Sequence, residues 1–153
     1  MKSLYLKGNH MLIGIDPVIS PGLLDVLFRM GHGDEIVLAD AFFPGDSVNS
    51  CVIRADGIRI PALLDGILAL MNLDTYVPHP VAMMAPVQGD EPGKNVDKSY
   101  RAVIDRRWPG TPAIEFLERF AFYERAKKAF AVLMTGETVK YGNIILKKGV
   151  IPQ

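Results

Sequence analysis

A chain of 153 residues is long enough for one domain of ordinary size to bury a hydrophobic core without help from disulfides. Its 17 basic residues balance 17 acidic ones and 49% of it is apolar, so no field of one sign exists to attract nucleic acid or an anionic membrane. The single Cys51 cannot make an internal disulfide, and no apolar run approaches the roughly 20 residues of a membrane span; a cytoplasmic protein is expected.

The first ten residues are mixed and polar rather than a basic segment leading into an apolar one, so they do not read as a secretory signal. They are expected to form a disordered extension before a start at Met11, with a single domain over 11–153. Ser20-Pro21 opens a helix, since Ser is a good N-cap, Pro suits the first helical position, and Leu23, Leu24, Leu27 and Met30 recur at helical spacing. Gly31 stops it. Glu35–Ala39 is short and β-branched at its centre, which predicts a strand ending at Asp40, so His32 and Asp40 flank one strand. Ala41–Asn49, with Pro44, Gly45, Asp46 and Ser47, reads as a loop. A strand over Val52–Arg54 and a helix over Pro61–Asn72 follow, the helix with Leu63, Leu64, Ile67, Leu68 and Met71 on one side.

Val81–Ala85 predicts a buried strand, and polar Gln88–Asn95, with Gly89, Pro92 and Gly93, a mobile surface loop. The remaining elements are a helix over Val96–Arg107, a strand over Ala113–Leu117, a helix over Phe120–Phe130, and strands over Ala131–Met134 and Ile144–Leu146. Strands and helices alternate, without internal repeat or low-complexity tract. The fold class expected is α/β, a layered single domain with helices packed on a mostly parallel or mixed sheet.

Several residues could carry chemistry. His32 sits between two glycines after a helix, which leaves its ring open to a ligand, and imidazole exchanges protons at neutral pH. A helix-end histidine bonding the last carbonyls is the competing reading, and spacing leaves both open. Asp40 ends a buried strand, where α/β sheets bind ligands, yet an Asp that only shapes the following loop fits equally well. Arg119 and Tyr123 are four apart on one helix and share a face, whereas Glu124, Arg125, Lys127 and Lys128 read as solvated charge. Tyr141-Gly142-Asn143 combines a hydroxyl, a flexible backbone and an amide, a set suited to sugar hydroxyls and also common in turns. The Gly31-x-Gly33 pair follows a helix and precedes a strand, the reverse of a dinucleotide loop, and a third glycine is missing. His10, His32, His79 and Cys51 fall at no metal-ligand spacing, so neither a metal nor another cofactor is expected.

Taken together, Met30-Gly31-His32-Gly33-Asp34-Glu35-Ile36-Val37 and Ala39-Asp40-Ala41 with Phe43-Pro44 resemble the N-terminal signature of fucose mutarotases, in the RbsD/FucU-type family that also holds ribose pyranases. Ile53-Arg54-Ala55-Asp56-Gly57, Leu73-Asp74-Thr75-Tyr76, the long run Glu118 to Ala131, and Tyr141 to Gly149 are similar to further family motifs, in order, so the resemblance spans about Met11 to Val150. Ribose pyranases typically carry Leu-Gly-His-Thr, a histidine at the position of Arg119, and Tyr-Ala-Asn; at each point this chain resembles the fucose branch. It departs from relatives at Phe42, where a polar His or Asn is frequent, and at Gly45-Asp46.

The resemblance implies a monosaccharide mutarotase with an RbsD-like fold, acting on L-fucose or a related aldose without a cofactor. His32 is then the proton donor, and Asp40, Arg119, Tyr123, Tyr141, Gly142 and Asn143 contact the sugar. Ring-opening chemistry needs a second proton-transfer group, which the sequence leaves open; Tyr141 is the candidate, and Asp40 is a candidate to orient the imidazole. It further implies a homo-oligomer, a decamer of two five-membered rings, with each site completed by Tyr141 and Asn143 of a neighbouring subunit. A non-catalytic sugar-binding protein and a pyranase using the same ring opening are the alternatives.

Overall fold

The computed structural model describes residues 11–153, so the extension expected over 1–10 lies outside the described residues. Helix α1, Pro21–Arg29, starts as its sequence demands: the Ser20 hydroxyl accepts from the Leu23 amide at 3.1 Å and Pro21 occupies the first turn. Strand β1, Glu35–Ala39, follows. The predicted loop after it contains one short helix, α2, Gly45–Val48, which the Pro and Gly content had argued against. Gly45 is the reason that helix can sit so close to the sheet, because a Cβ there would meet the Met134 Sδ at 2.6 Å.

Next come β2, Val52–Ala55, and α3, Ile60–Leu68. The latter is shorter than the expected 61–72. Beyond Leu68 the chain is pinned to the C-terminal segment instead: Asn72 receives the Gly149 amide at 2.9 Å and the Asp74 amide donates to Lys147 O at 3.0 Å. Strand β3 is Val81–Met84, α4 is Val96–Arg107 as expected, and β4 is only Glu115–Leu117. Arg101 claims the carbonyls of Thr111 and Pro112 and the His79 ring that of Ala113, so the residues before Glu115 serve a loop rather than a strand. Helix α5, Arg119–Lys128, begins one residue early because the Glu118 carboxylate caps it, accepting from the amides of Phe120 and Ala121. It ends before Phe130, whose amide is taken by Glu35 O at 2.8 Å. Strands β5, Ala131–Thr135, and β6, Ile144–Lys147, complete the chain.

The six strands form one mixed sheet in the order β2-β5-β1-β6-β3-β4. Pairing is parallel except at β6, which runs antiparallel to both β1 and β3. The period-2 alternation of strand side chains sorts the core into two layers. Ile36, Leu38, Val81, Met83 and Leu133 join α1, α3 and α4 on one face; Val37, Ala39, Ala82, Met84 and Val132 join Phe43, Phe122 and Ala126 of the α2–α5 side on the other. No helix among the described residues is long and apolar enough to cross a membrane.

This topology decides where chemistry can gather. The strands other than β6 point the same way, and β6 starts where they finish, as the register Leu38↔Ile144 and Met83↔Ile144 requires. One end of the sheet therefore carries Asp40, the loop after β3, Arg119 after β4, and Tyr141-Gly142-Asn143 before β6. The opposite end carries His32 before β1 and Asp74 beside the end of β6.

Candidate functional site

At the first end, Asp40 and Asn143 are tied twice. The Asp40 amide donates to Asn143 Oδ1 at 2.7 Å, and Asn143 Nδ2 donates to Asp40 Oδ2 at 3.0 Å. Asp40 Oδ1 accepts from the Phe42 amide at 2.9 Å. Burial raises the Asp40 pKa above the ordinary value, outweighing the hydrogen bonds from Phe42, Asn143 and Phe43 that lower it, and nearby Glu137 raises it further. Asp40 therefore shapes the loop that follows it and also lines a recess. Gly142 is required for a close approach: a Cβ would meet Val139 O at 2.8 Å, and the buried Tyr100 hydroxyl donates to Gly142 O at 2.9 Å.

Asp40, Phe42, Phe43, Tyr123, Tyr141 and Asn143 line a recess of about 210 Å³. Phe43 and Tyr123 stack with centroids 5.5 Å apart, and the Arg119 guanidinium lies over the Tyr123 ring at 5.8 Å. Helical spacing thus delivered Arg119 and Tyr123 to one face, with Arg119 opening on an adjoining recess of about 310 Å³ lined by Ala85 to Gln88. Aromatic faces beside a carboxylate, an amide and a guanidinium suit a ligand with one apolar side and several hydroxyls.

Beneath the Tyr141 to Asn143 strip lies Glu137, which the sequence reading did not single out. It is 2% exposed and its carboxylate accepts from Arg59 Nη1 at 2.8 Å and from the amides of Thr138 and Val139 at 2.9 and 3.1 Å. Burial alone would raise its pKa, but the Val139 amide, Arg59 and the Thr138 and Ile60 amides together hold it below the ordinary value. A depressed carboxyl stabilises the fold above its unfolded-state pKa, and that stability is lost as pH falls through the folded value. Glu137→Leu is expected to lower unfolding free energy by about 2 to 3 kcal/mol at neutral pH, because buried amides lose their acceptor. Urea unfolding should show the gap to the wild type narrowing as the solution is made strongly acidic.

His32 occupies the other end. Its Nε2 is 3.0 Å from Asp74 Oδ1, and its ring lies 5.4 Å from that of Tyr76. Asp74 is 4% exposed; burial works against its ionisation, but the Tyr76 amide, His32 and Lys147 hold its pKa below the ordinary value. An ionised carboxylate only accepts, so Nε2 carries the hydrogen and Nδ1 is the nitrogen left for proton exchange with a ligand. The imidazole itself remains 42% exposed. His32 thus bonds a side-chain carboxylate rather than the last carbonyls of α1, and within one chain the carboxylate beside the imidazole is that of Asp74, with Asp40 at the other end of β1. The five residues of β1 between them span on the order of 17 Å.

One chain therefore brings Asp40, Arg119, Tyr123, Tyr141, Gly142 and Asn143 together and leaves His32 apart. A larger recess, about 620 Å³ between α4 and residues 111–116, holds none of these groups. Among the described residues no group of three or more His, Cys, Asp or Glu side chains is arranged to hold a metal ion.

A small α/β domain carries a cluster of carboxylate, amide, phenol and guanidinium groups at one end and a carboxylate-bound imidazole at the other. The chain belongs to the RbsD / FucU transport protein family, whose model matches residues 13–151. It is 58% identical over 142 residues to the L-fucose mutarotase of Actinobacillus pleuropneumoniae (serotype 5b, strain L20), covering 93% of this chain and 99% of that relative. Among solved structures it is similar to the fucose mutarotase of Streptococcus pneumoniae in complex with L-fucose, with a TM-score of 0.85 and 51% identity over 90% of this chain and 98% of that one. FucU from Bifidobacterium longum superposes with a TM-score of 0.87 at 44% identity, covering 91% and 99% of the two chains.

Proposed function

We propose that this protein is an isomerase that interconverts the α and β anomers of L-fucose by acid–base ring opening, in sites assembled between neighbouring copies of the chain. The observation that carries this reading is the division of the machinery: among the described residues, one end of the domain has groups suited to hydroxyls without an imidazole, the other an oriented imidazole without them. Two copies meeting end to end supply both. The similarity to fucose mutarotases over nearly their whole length supports the substrate.

In such a site, His32 in its imidazolium form, with Nε2–H held by Asp74, delivers the Nδ1 proton to the ring oxygen while the anomeric hydroxyl loses one. The bond between C1 and the ring oxygen opens, C1 becomes an aldehyde, rotation about the C1–C2 bond exposes its other face, and reclosure returns the protons. Tyr141 takes the hydroxyl proton. Asp40, Arg119 and Asn143 fix the remaining oxygens through hydrogen bonds, strongest where one partner is charged. Phe42, Phe43 and Tyr123 offer an apolar wall to the C6 methyl. The assembly is a decamer of two five-membered rings, working in the cytoplasm; the unpaired Cys51 accords with a reducing compartment.

Saturation-transfer NMR on α- and β-L-fucose tests the reading, because exchange moves saturation between two resolved anomeric signals. Catalytic amounts of protein are expected to enhance that transfer with no added metal or nucleotide. Exchange at the buffer rate with L-fucose and related aldoses would leave only a sugar-binding protein.

A further inference from the structure

If Tyr141 takes the proton of the anomeric hydroxyl, the phenol's own proton must point elsewhere, because a hydroxyl has a single hydrogen to donate. The loop after β3 supplies that destination. The Tyr141 hydroxyl lies 2.8 Å from Asp90 Oδ2 and accepts from the Val87 amide at 3.2 Å. The loop is otherwise mostly exposed, yet the Asp90 side chain is turned inward to 30% exposure, and the loop is anchored where the Gly93 amide meets Lys140 O at 2.9 Å. Tyr141 is itself in an unusual state, with φ of 60°, a left-handed conformation that is costly for a residue with a bulky side chain. That conformation aims the phenol at Asp90 and Val87 while its ring lines the recess beside Asp40.

We propose that Asp90 is a positioning residue for the mutarotase reaction, drawing the Tyr141 proton onto its carboxylate so that Tyr141 presents a lone pair to the anomeric hydroxyl. The proposal rests on the function assigned above. The step balances: the O1 proton passes to Tyr141 Oη as the phenol proton passes to Asp90 Oδ2, electrons from O1–H form the C1=O bond, C1–O5 breaks, and O5 takes its proton from His32. Closure on the other face runs each transfer backwards. Hydrogen bonds from Lys140 and Tyr141 hold the Asp90 carboxyl below its ordinary pKa, so it is an acceptor throughout the neutral range.

A plainer role exists for the same residue, because Asp90 also pairs with Lys140 Nζ and could merely tether the loop. The two are separated by three variants measured with L-fucose exchange. Asp90→Asn is expected to lower kcat by about a hundredfold, the lower end of a general acid–base contribution, with KM within about threefold, since an amide cannot take up the phenol proton. Lys140→Met, which removes the ion pair with Asp90 but leaves the carboxylate facing the Tyr141 hydroxyl, is expected to keep most of kcat. In a Tyr141→Phe background, Asp90→Asn should cost nothing further, because residues acting as one unit are not additive. Near-normal kcat in Asp90→Asn overturns the proposal, as does an equal loss in Lys140→Met or a further loss in the Tyr141→Phe background. A wild-type protein that exchanges L-fucose only at the buffer rate overturns the functional reading instead, a failure recognised before any variant is made.

Discussion

Replacing His32 by Asn is expected to slow anomer exchange by about two to four orders of magnitude, the usual contribution of a general acid–base group, while sugar affinity changes little. The reason lies in the geometry: His32 stands at the end of the domain away from Asp40, Arg119 and Asn143, so on the proposed mechanism removing it takes a proton carrier and few binding contacts. Asp74→Asn should lose much of the same rate, since an amide in place of a carboxylate no longer fixes the Nε2–H tautomer. Arg119→Ala is the contrasting variant. Its loss should appear first in binding, by about tenfold or more, as a charge-assisted hydrogen bond contributes on the order of 1.5 to 3 kcal/mol. Steady-state exchange by NMR and fucose binding by calorimetry separate the two. A His32→Asn protein with near-normal exchange would return the imidazole to a structural role and move proton transfer to Tyr141 or Asp40.

What the sequence disclosed follows from how far apart the deciding residues are. Local signals were sufficient for α1, where Ser20 and Pro21 define the start, and for α4, whose bounds match the expected Val96–Arg107. They were insufficient for α2, a four-residue helix whose packing on the sheet depends on Gly45 lying against Met134, 89 positions along the chain. Asp40, Arg119 and Asn143 were legible as candidates because they flank the ends of β1, α5 and β6, where α/β sheets bind ligands, and Tyr123 because it lies four residues from Arg119 on one helix face. Asp74 was visible as part of a motif but without a role. Its carboxylate reaches His32 only because β6 reverses between β1 and β3 and pins residues 72–74 to 147–149, a pairing across more than seventy positions. Glu137 and Asp90 escaped for a related reason: the Glu137 carboxylate is held by Arg59 and the Ile60 amide, and Asp90 meets the Tyr141 hydroxyl, tertiary contacts that composition and spacing do not encode.

The split between the two ends also predicts complementation. His32→Asn and Tyr141→Phe should each be nearly inactive alone, the first lacking the imidazole and the second the acceptor for the anomeric proton. If every site joins His32 of one copy to Tyr141 of its neighbour, an assembly grown from equal amounts of the two variants contains intact sites wherever a His32-bearing chain faces a Tyr141-bearing one. Random mixing around a closed ring makes that about a quarter of all sites, so co-refolded protein should recover roughly a quarter of wild-type exchange, at least tenfold above either variant alone. Light scattering on the same sample should give a mass near ten chains. Were the site contained in one chain, mixing could yield no more than the average of two inactive proteins, since no arrangement of copies would restore both groups to the same sugar. The recovered activity therefore measures where the site is built, independently of how much either residue contributes to the rate.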